Sequence, residues 1–267
     1  MLTKTNTFKI ALLIDGDNAQ ASLIDEIISE VSKYGKATIR RIYGDWTTPN
    51  MNSWKPVVNQ LSISPIQKFS YTTGKNSTDS SLIIDAMDIL HHKTVDGFCI
   101  VSSDSDYTGL AKRIREEGMF VMGIGKRITP IAFINSCEIF TFTENLQELD
   151  DKSTKPAIIK SGESKDAQGE KVKGRSNTRK TEQNGKDSFP KVNIKLIDKA
   201  FDIATNEEEE EEIHIAQIGS ALRKLDPSFD PRTHGYKNLT HLFQKLDKYQ
   251  LIKNMINGVN HPLVRLK

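Results

Sequence analysis

Apolar residues in the first half of this chain follow two rhythms. Ile10–Ile14 and Phe98–Val101 are unbroken apolar runs closed off by polar residues or glycine. Such runs read as strands buried on both faces, the pattern of a parallel sheet. After the first run the period becomes helical: Leu23, Ile27, Ile28 and Val31 recur at helical spacing within Ala19–Tyr34, and Gly35 ends the stretch. Ala37–Tyr43 is then predicted as a strand, Trp54–Leu61 as a short helix, and Ser64–Phe69 as an edge strand, because Pro65 has no N–H to give a ladder. Thr78–His91 and Tyr107–Glu117 are predicted helices, the second closed by Gly118. Phe120–Gly125 is a strand, Ile131–Asn135 a short helix or turn, and Ile139–Thr143 a last strand. Alternation of this kind over residues 8–145 predicts an α/β fold, a parallel sheet flanked by helices on both faces.

Beyond residue 150 the rhythm stops. Residues 151–190 hold ten Lys/Arg against six Asp/Glu, a net +4, with almost no large apolar side chains. Too little surface can be buried there to offset chain entropy, so 149–190 is expected to be a disordered basic linker between residues 1–148 and 191–267. Periodicity returns with Ile194, Ile197, Ala200, Phe201 and Ala204, then Ile215–Leu222, then Leu239, Leu242, Phe243 and Leu246, each set at helical spacing. Gln250–Ile256 and Pro262–Lys267 are strand-like runs around Asn257-Gly258, a hairpin signal. Three helices and a hairpin predict a small winged helix-turn-helix domain. The acidic run Glu207–Glu212 would repel phosphate and is expected to point away from any nucleic acid.

Composition adds little: 37% hydrophobic, 27% charged and a net charge of +2, too small to announce a nucleic-acid binder. No apolar stretch approaches the roughly 18 residues of a membrane span. The first seven residues lack an apolar signal core, so a cytoplasmic location and no membrane partner are expected. The two cysteines, Cys99 and Cys137, stand in apolar surroundings without a metal-binding spacing and are expected in the core.

The chemistry is suggested by aspartates placed where apolar runs end. Asp15 and Asp17 follow the first run; Asp104 and Asp106 follow Phe98–Val101 after Ser102 and Ser103. Ligands of parallel α/β sheets bind outside the carboxyl ends of the strands, so two strands deliver paired carboxylates to one rim. Crowded carboxylates repel one another and take up either protons or a cation; oxygen ligands suit Mg2+ or Mn2+. Asp15, directly after its strand, is the leading ligand. Asp17 and Asn18 fall where the first helix begins, where Asp and Asn also serve as caps and turns. A third segment, Gly74-Lys75-Asn76-Ser77-Thr78-Asp79, brings Asp79 into the first turn of a helix. At about 100° per residue, Asp79 projects with Ile83 and Ala86 towards the packed side, whereas Asp85 and Asp88 are expected in solvent. Lys75 is a candidate phosphate contact; Ser102 and Ser103 are placed to bond a phosphate, a metal-bound water or the turn itself. No HxxxH, HExxH, P-loop or GxGxxG occurs, so neither NAD nor ATP is indicated.

On three of these stretches, Leu13-Ile14-Asp15-Gly16-Asp17-Asn18, Gly74–Asp79 and Val101-Ser102-Ser103-Asp104-Ser105-Asp106-Tyr107, the chain resembles the NYN nuclease family, a branch of the PIN-like fold, in its LabA/DUF88 type. The resemblance spans residues 8–145. It implies a metal-dependent ribonuclease in which Asp15, Asp79, Asp104 and Asp106 are the catalytic and metal-binding set, with Asp17 at a position the family varies. The C-terminal part resembles an OST-HTH/LOTUS domain at Ile218–Leu222, Phe229-Asp230-Pro231-Arg232 and His234–Leu239. That implies RNA as partner, single-stranded or structured and including G-rich RNA, and in some cases a protein partner. Arg232, Tyr236, Lys237 and Lys245 are the expected RNA contacts. Two alternatives stand beside this reading. One is an RNA-binding adaptor with an idle acidic site. The other is a haloacid dehalogenase-type phosphatase, which Asp15-Gly16-Asp17 mimics.

Overall fold

The computed structural model describes residues 7–69, 77–147, 189–206, 212–256 and 258–267. Its centre is the first apolar run: strand β1 (Lys9–Asp15) buries every side chain from Ile10 to Asp15. Parallel partners lie on both sides, β2 (Lys36–Gly44) on one and β4 (Gly97–Val101) on the other. With β3 (Ser64–Gln67), β5 (Phe120–Gly125) and β6 (Ile139–Phe142) they form a six-stranded parallel sheet in the order β3-β2-β1-β4-β5-β6. Pro65 does sit in an edge strand, although that strand stops at Gln67.

Successive strand side chains point to opposite faces, so β1 feeds two apolar layers. Ala11 and Leu13 join Leu82 and Ala86 of α3 (Ser77–His92), Leu110 and Ile114 of α4 (Thr108–Glu116), and Phe133 of α5 (Ile131–Ser136). Ile10, Leu12 and Ile14 join Ile24, Ile27 and Val31 of α1 (Ile24–Ser32), Val58 of α2 (Lys55–Gln60) and Leu146 of α6 (Thr143–Gln147). Each fully buried aliphatic side chain of this kind contributes about 1.5–3 kcal/mol. Cys99 and Cys137 are buried free thiols, one in each layer. Helix α1 begins later than its apolar spacing predicts: the carbonyl of Asp15 accepts from the N–H groups of Asn18 and Ala19, and a single 3-10 turn (Ala21–Leu23) precedes Ile24.

Among its described residues the second domain has three α-helices, α7 (Ile194–Asn206), α8 (Ile215–Leu225) and α9 (Leu239–Gln244), around one apolar cluster. Gly219 lets α8 approach α9, since a Cβ there would lie 2.8 Å from Leu239 Cδ1. The predicted hairpin is present but kinked. β8 (Tyr249–Ile252) pairs with β11 (Leu263–Leu266), and β9 (Met255–Ile256) pairs with β10 (Val259–Asn260) at the tip. A short strand that sequence spacing does not reveal, β7 (Ile213–His214), completes the sheet against β11. Of the linker expected over 149–190, residues 149–188 lie outside the described residues, as do Glu207–Glu211.

The second domain is packed on the first. The Phe140 N–H of edge strand β6 donates to the Pro227 carbonyl at 2.8 Å. Asn145 Nδ2 donates to Thr233 Oγ1 at 2.9 Å, and the Arg223 guanidinium lies 6.0 Å from the centre of the Tyr34 ring. Arg232 makes two bonds of 3.1 Å to Glu30 of α1.

Candidate active site

In the strand order, β1 and β4 lie side by side, and the chain leaves their carboxyl ends in opposite directions along the sheet. That divergence opens a crevice, the usual ligand site of such sheets. Asp15 is the last residue of β1 and is 1% exposed. Two residues after Leu13, it points to the α3–α4 face. Its Oδ2 accepts from Asn18 Nδ2 at 2.6 Å, Ser102 Oγ at 2.9 Å and, more weakly, the Tyr107 hydroxyl at 3.4 Å. Its Oδ1 accepts from the Asp17 N–H at 3.2 Å. Burial pushes the Asp15 carboxyl above its ordinary pKa; the bonds from Asn18 and Ser102 pull the other way, and the nearby Asp17 charge adds to the rise.

The loop behind Asp15 is fixed by close packing. A Cβ on Gly16 would sit 2.7 Å from Met51 Cε and 2.8 Å from the Tyr43 carbonyl oxygen. Gly16 N–H donates to that carbonyl at 2.9 Å, and Trp54 Nε1 donates to the Gly16 carbonyl at 3.1 Å. Only a residue without a side chain fits between Asp15 and Asp17.

The loop after β4 repeats the motif. Asp104 is half-buried, and its Oδ1 accepts from the Asp106 N–H at 2.9 Å, capping a 3-10 turn (Ser105–Tyr107). Its own N–H donates to Ser102 Oγ at 3.1 Å. Ser102 therefore bridges the two acidic loops, donating to Asp15 and accepting from Asp104. Ser103 Oγ accepts from the Lys126 N–H at 2.9 Å, tying in the end of β5.

The structure thus brings Asp15, Asn18, Ser102, Ser103 and Asp104 together. Asp17 and Asp106 join through their backbone N–H groups, with exposed side chains. Asp79 lies in the first turn of α3, but its side chain is outside the described residues, as is Lys75. Among the described residues, no three His, Cys, Asp or Glu side chains converge as a metal cluster. In the second domain, Lys237 and Lys245 are exposed, and Tyr236 is half-buried with its ring 5.6 Å from that of His241. Arg232 is a correction. Its guanidinium is held by Glu30 and by Asp230, at 2.5 Å for the shortest contact, and is 14% exposed, so it docks domains instead of meeting phosphate. Asp85 is another: expected in solvent, it is half-buried and accepts from the Tyr43 hydroxyl and the Arg41 guanidinium. Sequence reasoning also missed Tyr107 and Lys126. Lys126 stands at the rim directly after a buried run, as Asp15 is followed by Gly16 and Asp17; the same rule applied to β5 finds it.

The family model for the NYN domain matches residues 9–147, and that for the OST-HTH/LOTUS domain matches residues 190–259. A nuclease-type domain of the PIN-like superfamily followed by a domain of an RNA-binding class supports an RNA-related nuclease. No curated protein matches the chain. Among solved structures, a protein of unknown function from Vibrio parahaemolyticus is similar at 18% identity and a TM-score of 0.44, over 53% of this chain and 96% of that one. MurG of Acinetobacter baumannii is similar at 10% identity and a TM-score of 0.34, over 51% of this chain and 41% of that one. Neither likeness carries an argument about activity. Among the described residues no helix is long and apolar enough to cross a membrane.

Proposed function

The chain belongs to the NYN domain family, and from that premise we propose that it is a metal-dependent ribonuclease whose second domain grips the RNA. The observation that supports this best is Asp15. It is a carboxylate at 1% exposure whose hydrogen-bond partners are all neutral donors; among the described residues no Lys, Arg or His pairs with it. A buried charge of that kind is costly until a cation joins it. The surrounding donors, carboxylate and hydroxyl oxygens, fit a hard ion such as Mg2+ or Mn2+.

Asp15 and Asp104 would hold the ion, with Asp79 and Asp106 as further proposed ligands. Bound there, such an ion lowers the pKa of a water and offsets charge on the attacked phosphate. The protein's own part is to position and to ionise. Asn18, Ser102 and Tyr107 fix Asp15 through Oδ2, leaving Oδ1 with one long backbone bond. Ser102 sets Asp104 relative to Asp15. Asp15 must lose its proton to serve, so activity falls as the medium becomes acidic. In-line hydrolysis would expel the 3′ oxygen and leave a 5′ phosphate.

The test is cleavage of labelled single-stranded RNA by the purified chain, with Mn2+ or Mg2+ and with a chelator. Products that need the metal and vanish in Asp15→Asn and Asp104→Asn are expected. RNA that stays intact with every ion, while still bound, would replace this reading with that of an RNA-binding adaptor. The phosphatase alternative lapses with the family match.

A further inference from the structure

The loop between β5 and α5, Lys126-Arg127-Ile128-Thr129-Pro130, which leads into Ile131 at the start of α5, has no role in the reading above, yet it is firmly built. Thr129 N–H and Oγ1 both donate to the Lys126 carbonyl, at 3.0 and 2.6 Å. The Arg127 N–H donates to the Glu144 carboxylate at 3.0 Å. On this turn and at the first residue of α5, two large apolar side chains face solvent: Ile128 is 81% exposed and Ile131 65%. Isolated exposed apolar residues are ordinary, but a pair displayed by a braced loop at the rim of a candidate site marks a contact surface.

Its place between the two halves of the molecule says what the contact is. On one side, the Lys126 N–H is bonded to Ser103, the residue before Asp104. Lys126 also lines the same small cavity as Asn18, Ser102 and Ser103. On the other side, Arg127 Nη2 donates at 3.3 Å to Oδ1 of the fully buried Asn145, whose Nδ2 donates to Thr233 of the second domain. A strand of RNA reaching from the second domain to the carboxylates would cross this loop. Among the described residues no carboxylate pairs with the Lys126 ammonium, and the residue is half-buried, with its backbone tied to the residue before Asp104. A cation for phosphate beside aliphatic side chains that can pack against unstacked bases suits a single strand.

We propose that Lys126, Ile128 and Ile131 form a substrate-positioning bridge, on which Lys126 pairs a phosphate of single-stranded RNA and the two isoleucines pack under its bases on the way to Asp15 and Asp104. The inference rests on the ribonuclease reading, and it adds residues and a direction of approach.

The experiment uses the full chain with Lys126→Ala, Lys126→Arg and the double change Ile128→Ser with Ile131→Ser; the isoleucines face solvent and Lys126 is half-buried, so a thermal melt of each variant checks that the fold is kept. With a single-stranded RNA long enough to touch both domains, Lys126→Ala should raise KM about tenfold while kcat stays near its starting value, and the double change should do likewise. Lys126→Ala should also lower the slope of log binding against log salt by about one, with Lys126→Arg restoring it. In an Asp15→Asn background, 4-thiouridine RNA should cross-link to the peptide spanning residues 126–135. Unchanged KM and salt slope with cross-links confined to the second domain would overturn the bridge while leaving the nuclease standing. A chain that cleaves no RNA yet cross-links through this loop would sink the nuclease and keep the bridge. If the isoleucine changes turn a dimer into a monomer in ultracentrifugation and leave RNA handling alone, the face belongs to a second copy and the proposal falls.

Discussion

Asp15 and Glu30 are buried almost equally, at 1% and 4% exposure, and their surroundings differ in one respect. Glu30 has cations of its own: Lys33 Nζ at 2.7 Å and both terminal nitrogens of Arg232 at 3.1 Å. Asp15 has an amide, two hydroxyls and a backbone N–H. Burying a charge is unfavourable in both places, and at Glu30 the chain supplies the compensation itself. That acid therefore does structural work, clamping one domain to the other. At Asp15 compensation is incomplete, its pKa rises, and no positive side chain among the described residues pairs with it. Two buried acids in one fold thus separate into a fastener and a candidate site by the company they keep.

The most severe way to test that contrast is to neutralise both. Asp15→Asn is expected to lower RNA cleavage by about 10³-fold, the scale seen when a pre-set electrostatic group at a reacting centre is removed. Glu30→Gln should leave cleavage of a short oligonucleotide within a few-fold, because it touches only the seam between domains. Equal losses in the two variants, measured as initial rates at saturating Mn2+, would erase the distinction.

Ser102→Ala probes the neutral donors. Outer-shell partners of metal ligands usually matter at the 10–100-fold level, and a loss of about that size is expected in kcat/KM. The bond from Ser102 lowers the Asp15 pKa, so removing it raises that pKa further, and the acid limb of the pH–rate profile should move to higher pH. A profile that stays put would show that the hydroxyl does not tune the acid.

At the seam, Arg232→Ala strips Glu30 of its guanidinium but leaves Lys33. Breaking a buried pair costs about 3–5 kcal/mol when nothing replaces it, and the remaining lysine should bring the loss to roughly 2–3 kcal/mol. Small-angle scattering should then report a larger radius of gyration, and denaturation should split into separate transitions. An unchanged profile would mean the ion pairs are not what holds the domains.

The smallest effect concerns stability against pH. Because the folded pKa of Asp15 is raised, the folded protein without metal holds its proton more tightly than the unfolded chain does. Its stability is intact below the ordinary value of 3.8 and declines as pH climbs from there through the raised value. Asp15→Asn should remove that decline in thermal melts with chelator present. Parallel curves for the two proteins would show that Asp15 is not strained by its burial.

Much of this was legible before any coordinates. Runs such as Ile10–Ile14 can be satisfied only inside a two-faced sheet, and Pro65 can lie only at its edge. Asp15 was legible because strand ends in such sheets are where polar residues meet ligands. The misreadings share a cause. Arg232 sits in a polar turn whose sequence suits phosphate contact, and its real partner, Glu30, is 202 positions away. Asp85 flanks the apolar face of its own helix, three residues after the buried Leu82, and there Tyr43 and Arg41 of β2 reach it from the sheet. Periodicity gives the direction of a side chain on its own element, and says nothing of what another element brings alongside.

The single bond from Phe140 to Pro227 has an implication for anyone who trims this protein. Strand β6 ends the sheet, and its outward backbone is what a neighbouring chain would zip onto if the helical module were cut away. Truncation would also strand Glu30 without its arginine. A shortened nuclease half is therefore expected to self-associate, and any loss of activity it shows would speak of an unguarded flank as much as of missing RNA contacts.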